Sequence, residues 1–433
     1  MPEERMHTPV RDVVGIGFGP SNLALAVALE EEHGGADAVF FEKQPAFGWH
    51  RGMLIDGATM QVHFLKDLVS LRNPASPYSF LAYLHARGRL VDFVNHKTMF
   101  PTRLEFHDYL EWAAAAFEGR VRYGTEVVAL RPHDDEALEV VVRRGDELET
   151  HLARNVVIGA GLEPVLPEGV RAGERIWHTE DLLTRLGERR DWAPNRIVVV
   201  GAGQSAAEAV EYLHRTFTGT EVCAVFARYG YSPADDSAFA NRIFDPEAVD
   251  HYYAAPGDVK RMLFEYSRNT NYSVVDLDLI DELYRRAYAE KVAGAERLRI
   301  LNVSRVLDVA DRGAGGARVR VAFLPTGEVA DLDADAVVYA TGYRERDPFD
   351  LLGEAGAHCR TGPDGRPVVE RDYRIATEPG PEWGVYLQGA TEHSHGIASS
   401  LLSMTAVRTG EIVRSVARRS APVTPGVQRK ARA

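Results

Sequence analysis

Residues 12–29, DVVGIGFGPSNLALAVAL, lead a short apolar run into a glycine-rich turn and then into a segment with apolar residues at helical spacing. A strand, a glycine turn and a helix in this order are typical of a dinucleotide-binding unit, in which the helix N-terminus faces a pyrophosphate. Residues 196–214, RIVVVGAGQSAAEAVEYLH, repeat the same order of parts. Two such units in one chain predict an α/β protein with two Rossmann-like dinucleotide-binding domains.

The first motif, GIGFGP, departs from the usual GxGxxG pattern in its last position. Gly15 is expected to make the tight turn and Gly17 to let the backbone approach a pyrophosphate. Gly19 and Pro20 then lead into the helix. The next strand-like run, AVFFE, ends in Glu42, which is expected to bind the ribose hydroxyls of an adenosine. By analogy with other two-site flavoenzymes, the N-terminal position of this motif favours FAD.

The second motif, GAGQSAAE, is expected to bind the exchangeable cofactor. Gly201 and Gly203 repeat the turn, and Ser205 can hydrogen-bond a phosphate, with Gln204 as a supporting candidate. The following strand-like run, EVCAVF, lacks the terminal acid that would repel a 2′-phosphate, and Arg228 comes shortly after it. This arrangement favours NADPH over NADH.

Composition and charge exclude several classes of protein. The 433 residues carry a net charge of -13, which argues against a nucleic-acid partner. The only cysteines, Cys223 and Cys359, are far apart and lack metal-ligand spacing, so neither a disulfide nor a metal site is expected. Residues 1–11 are polar, and no apolar run approaches the ~18 residues of a membrane span. A cytoplasmic protein without a membrane segment is therefore predicted.

Prolines and composition changes suggest where the domains meet. We expect an FAD-binding segment at 1–162, which ends near the proline-containing run LEPVLP. An NADPH-binding domain is predicted at 163–333, with a mainly helical substrate-binding insert at 232–297. The strand-like run ADAVVYATGY is expected to return the chain to the first domain, which 334–420 completes with a closing helix. Residues 421–433 are predicted to be a disordered tail.

A third segment decides between the many reductases and oxygenases that bind two dinucleotides. Residues 60–77 read MQVHFLKDLVSLRNPASP and are followed by YSFLAYLHARGRLVDF and FPTRLEFHDYLEW. This text resembles the N-hydroxylating flavoprotein monooxygenases, the ornithine and lysine side-chain hydroxylases, and is closest to the ornithine enzymes. The resemblance covers nearly the whole chain, because GIGFGPSNLALA, GAGQSAAE, NTNYSVVD, YATGY and HGIASSLLS occur in the family's order.

The resemblance implies roles for individual residues. Gln61 is placed beside the flavin ring, and Lys66 is placed on the substrate carboxylate. Asn241 in FANRIF corresponds to a substrate-binding asparagine. In NTNYSVVD the family's spacing selects Asn271 over Asn269 as the second one. The implied catalytic residues are Gln61, Asn271 and Ser403, and Leu402 and Ser403 also contact substrate. The further cofactor contacts that it implies are Lys43, Trp49, His50, Thr341 and Leu402.

The family resemblance implies hydroxylation of the side-chain amine of L-ornithine by FAD, NADPH and O2 through a flavin C(4a)-hydroperoxide. The product, N-hydroxyornithine, would supply siderophore or other nonribosomal-peptide-type biosynthesis. Lysine or another small amine is an alternative, because lysine differs from ornithine by one methylene. A non-catalytic flavin-binding protein is an alternative of another class. A disulfide reductase would need a close cysteine pair, and the Baeyer-Villiger signature matches poorly. A homotetramer or homodimer is also implied.

Overall fold

The computed structural model describes residues 9–189 and 191–420, so the tail predicted at 421–433 lies outside the described residues. Strands and helices are both present along this length. The strands are β1 Val10–Ile16, β2 Ala38–Glu42, β3 Val121–Tyr123, β4 Glu126–Pro132, β5 Leu138–Arg144, β6 Glu147–Ile158, β7 Leu162–Pro164, β8 Ile176–His178, β9 Arg196–Val200, β10 Glu221–Val225, β11 Leu298–Leu301, β12 Ser304–Asp311, β13 Ala317–Phe323, β14 Val329–Ala334, β15 Ala336–Tyr339, β16 Tyr343–Glu345 and β17 Gly384–Leu387.

The helices lie mainly between the strands, as expected of an α/β protein. Among residues 9–189 and 191–420, none is both long enough and apolar enough to cross a membrane. The helices are α1 Pro20–Glu32, α2 Phe80–Ala86, α3 Leu90–His96, α4 Arg103–Ala115, α5 Leu182–Gly187, α6 Gln204–Thr216, α7 Pro246–Ala254, α8 Gly257–Ser267, α9 Leu277–Ala293, α10 Phe349–Leu352, α11 Glu392–His395 and α12 Thr405–Ser420.

The first sheet has the strand order β3-β2-β1-β6-β5-β4, and β17 pairs with the C-terminal part of β6. Strands β3, β2, β1 and β6 are parallel to one another. Strands β5 and β4 extend the sheet beyond β6 in antiparallel orientation. Helix α1 packs on this sheet with α12 against it, and its residues 22–29 are all buried. The predicted first domain is therefore built from both ends of the described chain.

The second sheet is parallel and has the order β11-β10-β9-β15-β8. Helices α6 and α9 contribute to the core on one face. The antiparallel sheet β12-β13-β14 contributes to the core on the other face. This is the second dinucleotide-binding fold that the glycine motif predicts. Together the two sheets confirm the predicted α/β class.

The boundary predicted at 334 is wrong. Strand β15, which was expected to return the chain to the first domain, lies between β9 and β8 at the centre of the second sheet. All four of its residues are buried, as is typical of a strand covered on both faces. Such a uniformly apolar run shows that a strand is buried but does not show which sheet contains it. The chain returns through β16, which pairs antiparallel with the outgoing β7.

The helical insert is shorter than the predicted 232–297. Pro233 and Val275 form an isolated parallel bridge, so the two ends of the excursion lie side by side. The excursion contains a short 3-10 turn at 240–244 and helices α7 and α8. Helix α9 packs instead against α6, and its Leu283 belongs to the core of the second domain. It is therefore the crossover between β10 and β11. The sequence pattern predicted that this segment is helical but did not show which domain it packs against.

Candidate active site

The first glycine turn is made by Gly17 and not, as predicted, by Gly15. Gly15 lies within β1, where a Cβ atom would overlap the ring of Phe40, so packing and not the turn requires glycine there. Gly17 makes the turn, with φ of +81°. A Cβ atom on Gly17 would lie 2.5 Å from the carbonyl oxygen of Gly159. Any side chain at Gly17 is therefore both strained and obstructed.

Helix α1 begins directly after this turn. Gly19 is its N-cap in extended conformation, and Pro20 occupies the first turn, where its missing N–H leaves no hydrogen bond unmade. Pro20, which replaces the third glycine of the motif, is thus a regular residue for the start of a helix. Glu42, at the end of β2, is buried and accepts hydrogen bonds from the amides of Phe18 (2.7 Å) and Gln44 (2.8 Å). Turn, helix N-terminus and carboxylate fit the pyrophosphate and ribose of an adenine dinucleotide.

Predicted flavin contacts lie where the segment after β2 passes along the second domain. Lys43 is exposed, and the rings of Trp49 and His50 are 4.7 Å apart. Desolvation by the surrounding protein lowers the pKa of His50 to about 4, helped by the nearby charge of Arg103. The ring of His50 is therefore neutral near pH 7. Gly52, just beyond, touches the backbone of Glu180 too closely for a side chain.

The segment that carries Leu402 and Ser403 is a short 3-10 turn before α12. Leu402 packs against the core of the first domain. Ser403 is 2% exposed, and its hydroxyl has no hydrogen-bond partner among the residues that the structure describes. A buried hydroxyl without a partner is unfavourable by itself. The position therefore fits a bound group that would complete the hydrogen bond, as predicted for flavin and substrate.

Sequence reasoning missed the polar network that holds this segment in place. Arg408 of α12 is fully buried and donates to Gln388 Oε1 (3.2 Å), Ser21 Oγ (3.2 Å) and the carbonyl of Ser399. Gln388 in turn donates to Asn22 Oδ1 (2.9 Å). Burial lowers the pKa of Arg408. The network ties the start of α1 to the segment before Ser403. An arginine within the helical apolar pattern of 405–420 was the available signal.

The second glycine turn lies against the segment that follows the helical insert. Gly201 has φ of +145°, and a Cβ atom there would be 2.5 Å from the carbonyl oxygen of Ala340. At the N-cap of α6, the Cβ position of Gly203 is 3.5 Å from Cα of Ser273. Arg228 follows β10 as predicted, and its Nη1 donates to the carbonyl of Ser273 (2.9 Å). Segment 273–276 therefore covers the predicted dinucleotide site.

Gln204, a predicted cofactor contact, is held by protein groups. Its Nε2 donates to Glu208 Oε1 and Asp276 Oδ2, both at 3.0 Å, and its Oε1 accepts from the Asp276 amide (2.9 Å). Gln61 Nε2 lies 3.5 Å from the same Asp276 oxygen. Ser205, in the first turn of α6, stays available at the helix start. Asp276 thus joins two predicted site residues, and it was not predicted although it ends the NTNYSVVD motif.

One predicted substrate residue belongs to the 3-10 turn at 240–244, and another packs against the end of that turn. Asn241 belongs to this turn, and its Nδ2 donates to the carbonyl of Asp236 (2.6 Å). Lys66 is half-buried, with Nζ 5.4 Å from the ring centre of Phe244 in the same turn. Desolvation lowers the pKa of Lys66, and the nearby Asp245 opposes the shift. A partly desolvated ammonium of this kind is suited to binding a carboxylate.

The segment that carries Asn271 is anchored through its neighbour. Asn271 is exposed at the end of a 3-10 turn, and the next residue, Tyr272, donates its hydroxyl hydrogen to Glu392. Burial raises the pKa of Glu392 to about 7, and Glu345 adds to the shift. Glu392 begins α11, shortly before the segment that carries Ser403. The segment that carries Asn271 is therefore tied by one hydrogen bond to the start of α11.

Thr341, a predicted cofactor contact, and several polar and aromatic side chains near it in the chain or in α11 have structural contacts. Thr341 Oγ1 donates to the carbonyl of Val165 where the chain crosses between the sheets, which accounts for its position without a cofactor. The ring of Tyr343 packs on that of His178 with centroids 5.0 Å apart. His393 and His395 each place a ring nitrogen near a backbone carbonyl, at 3.0 and 3.1 Å. Within 9–189 and 191–420, no group of three or more metal-ligating side chains could hold a metal ion.

Comparisons with known proteins give this geometry a context. Residues 9–345 match the family described as L-lysine 6-monooxygenase/L-ornithine 5-monooxygenase. An L-ornithine N(5)-monooxygenase of Burkholderia cepacia is 42% identical over 94% of both chains. The solved ornithine N-hydroxylase of Kutzneria sp. 744, described with reduced FAD, NADP+ and L-ornithine, is 49% identical, with a TM-score of 0.92 over 95% of this chain and 100% of that one. A solved L-lysine 6-monooxygenase from Pseudomonas syringae is 32% identical, with a TM-score of 0.83 over 95% and 100%.

Proposed function

The chain belongs to the L-lysine 6-monooxygenase/L-ornithine 5-monooxygenase family, and on that premise we propose that it hydroxylates the side-chain amine of L-ornithine with FAD, NADPH and O2. What supports the choice of substrate most is Lys66, a half-buried ammonium that packs against Phe244 of the short turn that also carries Asn241. A cation suits the carboxylate of an amino acid, and an amide can hydrogen-bond its α-amine or carboxylate. Similarity to ornithine enzymes at 42% and 49% identity supports ornithine in particular.

Each end of the substrate then has its own task. Lys66 holds the carboxylate, and Asn241 and Asn271 orient the zwitterion without adding charge. The reacting amine has to lose its proton, because an ammonium has no lone pair with which to accept oxygen. In water its pKa, about 10, keeps it protonated, so the far end of the site should be dry. Gln61 borders that end. The spacing between Lys66 and the flavin then selects the length of the substrate.

The two cofactors are assigned to the two glycine turns. Gly17, the N-terminus of α1 and Glu42 would hold the adenosine half of FAD, and Ser403 would complete its hydrogen bond on the flavin or substrate. Gly203, Ser205 and Arg228 would hold NADPH at α6. When bound, the flavin takes electrons from NADPH and supplies the oxygen-transfer chemistry.

The deciding experiment measures hydroxylamine product from the FAD-loaded enzyme with NADPH and O2. Ornithine, lysine, putrescine and aspartate are compared at equal concentration. We expect product with ornithine that matches the NADPH consumed, and little with putrescine, because putrescine leaves Lys66 without a carboxylate. Preference for lysine would replace ornithine by lysine as the substrate and leave the family assignment unchanged. NADPH consumption without hydroxylamine from any amine would reject the proposed reaction.

Cellular context is a further part of the proposal. N-hydroxyornithine would supply siderophore or related nonribosomal-peptide synthesis. Cytoplasmic residence is supported by the two free, buried cysteines, Cys223 and Cys359, which are compatible with a reducing compartment. A homotetramer or homodimer is proposed from the family resemblance. Light scattering of the purified protein tests the assembly, and cell fractionation tests the compartment.

A further inference from the structure

Asp276 adopts an unusual role for an aspartate at the start of a helix. It is the N-cap of α9, where an aspartate side chain ordinarily accepts a hydrogen bond from the first turn. Here the side chain makes no such bond. The carboxylate is turned toward Gln204 (3.0 Å) and Gln61 (3.5 Å). The Asp276 side chain therefore contacts two residues of the predicted active site and does not stabilise the helix as a cap.

The charge on this carboxylate is not neutralised by its neighbours. The cation that acts on it, Arg103, donates Nη1 and Nη2 to the two oxygens of Glu208, at 2.9 and 2.8 Å. Gln204 donates one nitrogen to both Glu208 and Asp276, which brings the two carboxylates close together. Burial raises the pKa of Asp276, and Glu208 adds to the shift. Two carboxylates are therefore paired with one arginine. When both are ionised, the group keeps one negative charge that a further cation could neutralise.

The position of Asp276 points to the source of that charge. On one side, segment 273–276 covers the glycine turn at the start of α6. On the other side, Asp276 accepts a hydrogen bond from Gln61, which the family resemblance places beside the flavin. A dinucleotide bound at the glycine turn has to extend its nicotinamide toward the flavin for hydride transfer. The route between these two points passes Asp276.

We propose that the Asp276 carboxylate is the counter-charge for the cationic nicotinamide ring of NADP+, and that it makes the protein bind NADP+ more tightly than NADPH. The dihydronicotinamide ring of NADPH is neutral, whereas loss of a hydride leaves a positive ring. A fixed negative charge therefore strengthens binding after the hydride has left, and it retains the product dinucleotide beside the flavin. This inference rests on the proposed function only in the assignment of the two cofactor sites.

The test is equilibrium binding to the enzyme with its flavin chemically reduced under anaerobic conditions, so that NADPH is not consumed. In the unmodified enzyme NADP+ should bind more tightly than NADPH. Asp276→Asn should weaken NADP+ binding about tenfold, as expected for loss of a partly buried charge pair, and NADPH binding less than about twofold. The matched control is Asp278→Asn, which removes an exposed charge two residues away and should leave both constants unchanged.

Several results would overturn the proposal. One is tighter binding of NADPH than of NADP+ by the unmodified enzyme, which needs no variant. Another is an equal loss for both dinucleotides in Asp276→Asn. Should that variant fail to retain flavin, Asp276→Glu keeps the charge and should keep the preference for NADP+, and its loss would also count against the proposal. An effect on the ornithine KM alone would identify the substrate amine as the missing cation. Hydroxylamine production by the unmodified enzyme reports separately on the proposed function.

Discussion

Lys66 gives the sharpest test of the substrate assignment. We replace it with methionine, which keeps an unbranched apolar stem against Phe244 and removes the charge 5.4 Å from that ring centre. Lys66 is half-buried, and desolvation lowers its pKa although Asp245 opposes the shift, so a further anion is expected to bind it in the site. The lysine is thus expected to act in binding and not as a catalytic base.

The expected magnitude follows from the charge-assisted hydrogen bond that the substitution removes. A hydrogen bond to a charged group contributes roughly 1.5 to 3 kcal/mol, which corresponds to a rise of about tenfold to a hundredfold in the ornithine KM. Flavin content and the rate of flavin reduction by NADPH without substrate should stay near normal, because the cofactor sites do not involve Lys66. The fraction of NADPH that yields hydroxylamine should fall and peroxide should rise, since a misplaced amine cannot accept the oxygen.

The assay combines NADPH oxidation, hydroxylamine and peroxide in the same reaction over a range of ornithine concentrations. Lys291→Met serves as the matched control, because Lys291 is exposed on α9 and is not a predicted site residue. An unchanged ornithine KM together with unchanged coupling in Lys66→Met would refute the carboxylate assignment. The interpretation of the substrate as an amino acid would fall with it.

Three further predictions concern FAD, NADPH and pH. Gly17→Ala should lose FAD, because its Cβ would meet the Gly159 carbonyl at 2.5 Å, whereas Gly35→Ala has open space and should retain it; the flavin absorbance of purified protein measures both. Arg228→Ala should weaken NADPH more than NADH, by roughly 1 to 3 kcal/mol, and equal losses in titrations would place the 2′-phosphate elsewhere. The raised pKa of Glu392, about 7 against an ordinary 4.5, means that the folded protein loses stability as pH rises through this range. Thermal unfolding should therefore show Glu392→Gln as more stable than the unmodified protein at alkaline pH, by about 1 to 2 kcal/mol after allowance for partial exposure, and the difference should shrink in mild acid; no such convergence would contradict the assigned ionisation.

The sequence predicted the parts of the site that depend on local geometry. The need for glycine at Gly17 and Gly201, the helix starts after each turn and the acid at Glu42 all follow from a few consecutive residues. The roles of Lys66 and Asn241 come from the family's motifs, and they stay predictions. Such features are fixed by short stretches of chain, so a single sequence suffices to find them.

The features that were missed depend on packing between distant segments. Arg408 looks like any charged residue of an amphipathic helix until its helix is placed against α1. Asp276 reads as a helix cap until Gln61 and Gln204 are brought beside it. The assignment of β15 to the wrong domain has the same origin, because its apolar pattern fits a central strand in either sheet. The hydrophobic periodicity of a sequence indicates which residues are buried, whereas the tertiary fold decides which element they pack against.

The pairing of β17 with β6 has a consequence for how the chain is made. Strand β6 is translated early, but its partner and the α12 helix that packs on α1 arrive only near the end of synthesis. The second sheet, by contrast, takes all its strands from one continuous stretch, 176–339. On the ribosome the nested second domain can therefore complete its sheet first, while the edge of β6 and the outer face of α1 wait uncovered. A nascent chain that stops before residue 384 would hold a finished inner domain and an open outer one, which makes the outer domain the part of this protein most in need of a chaperone.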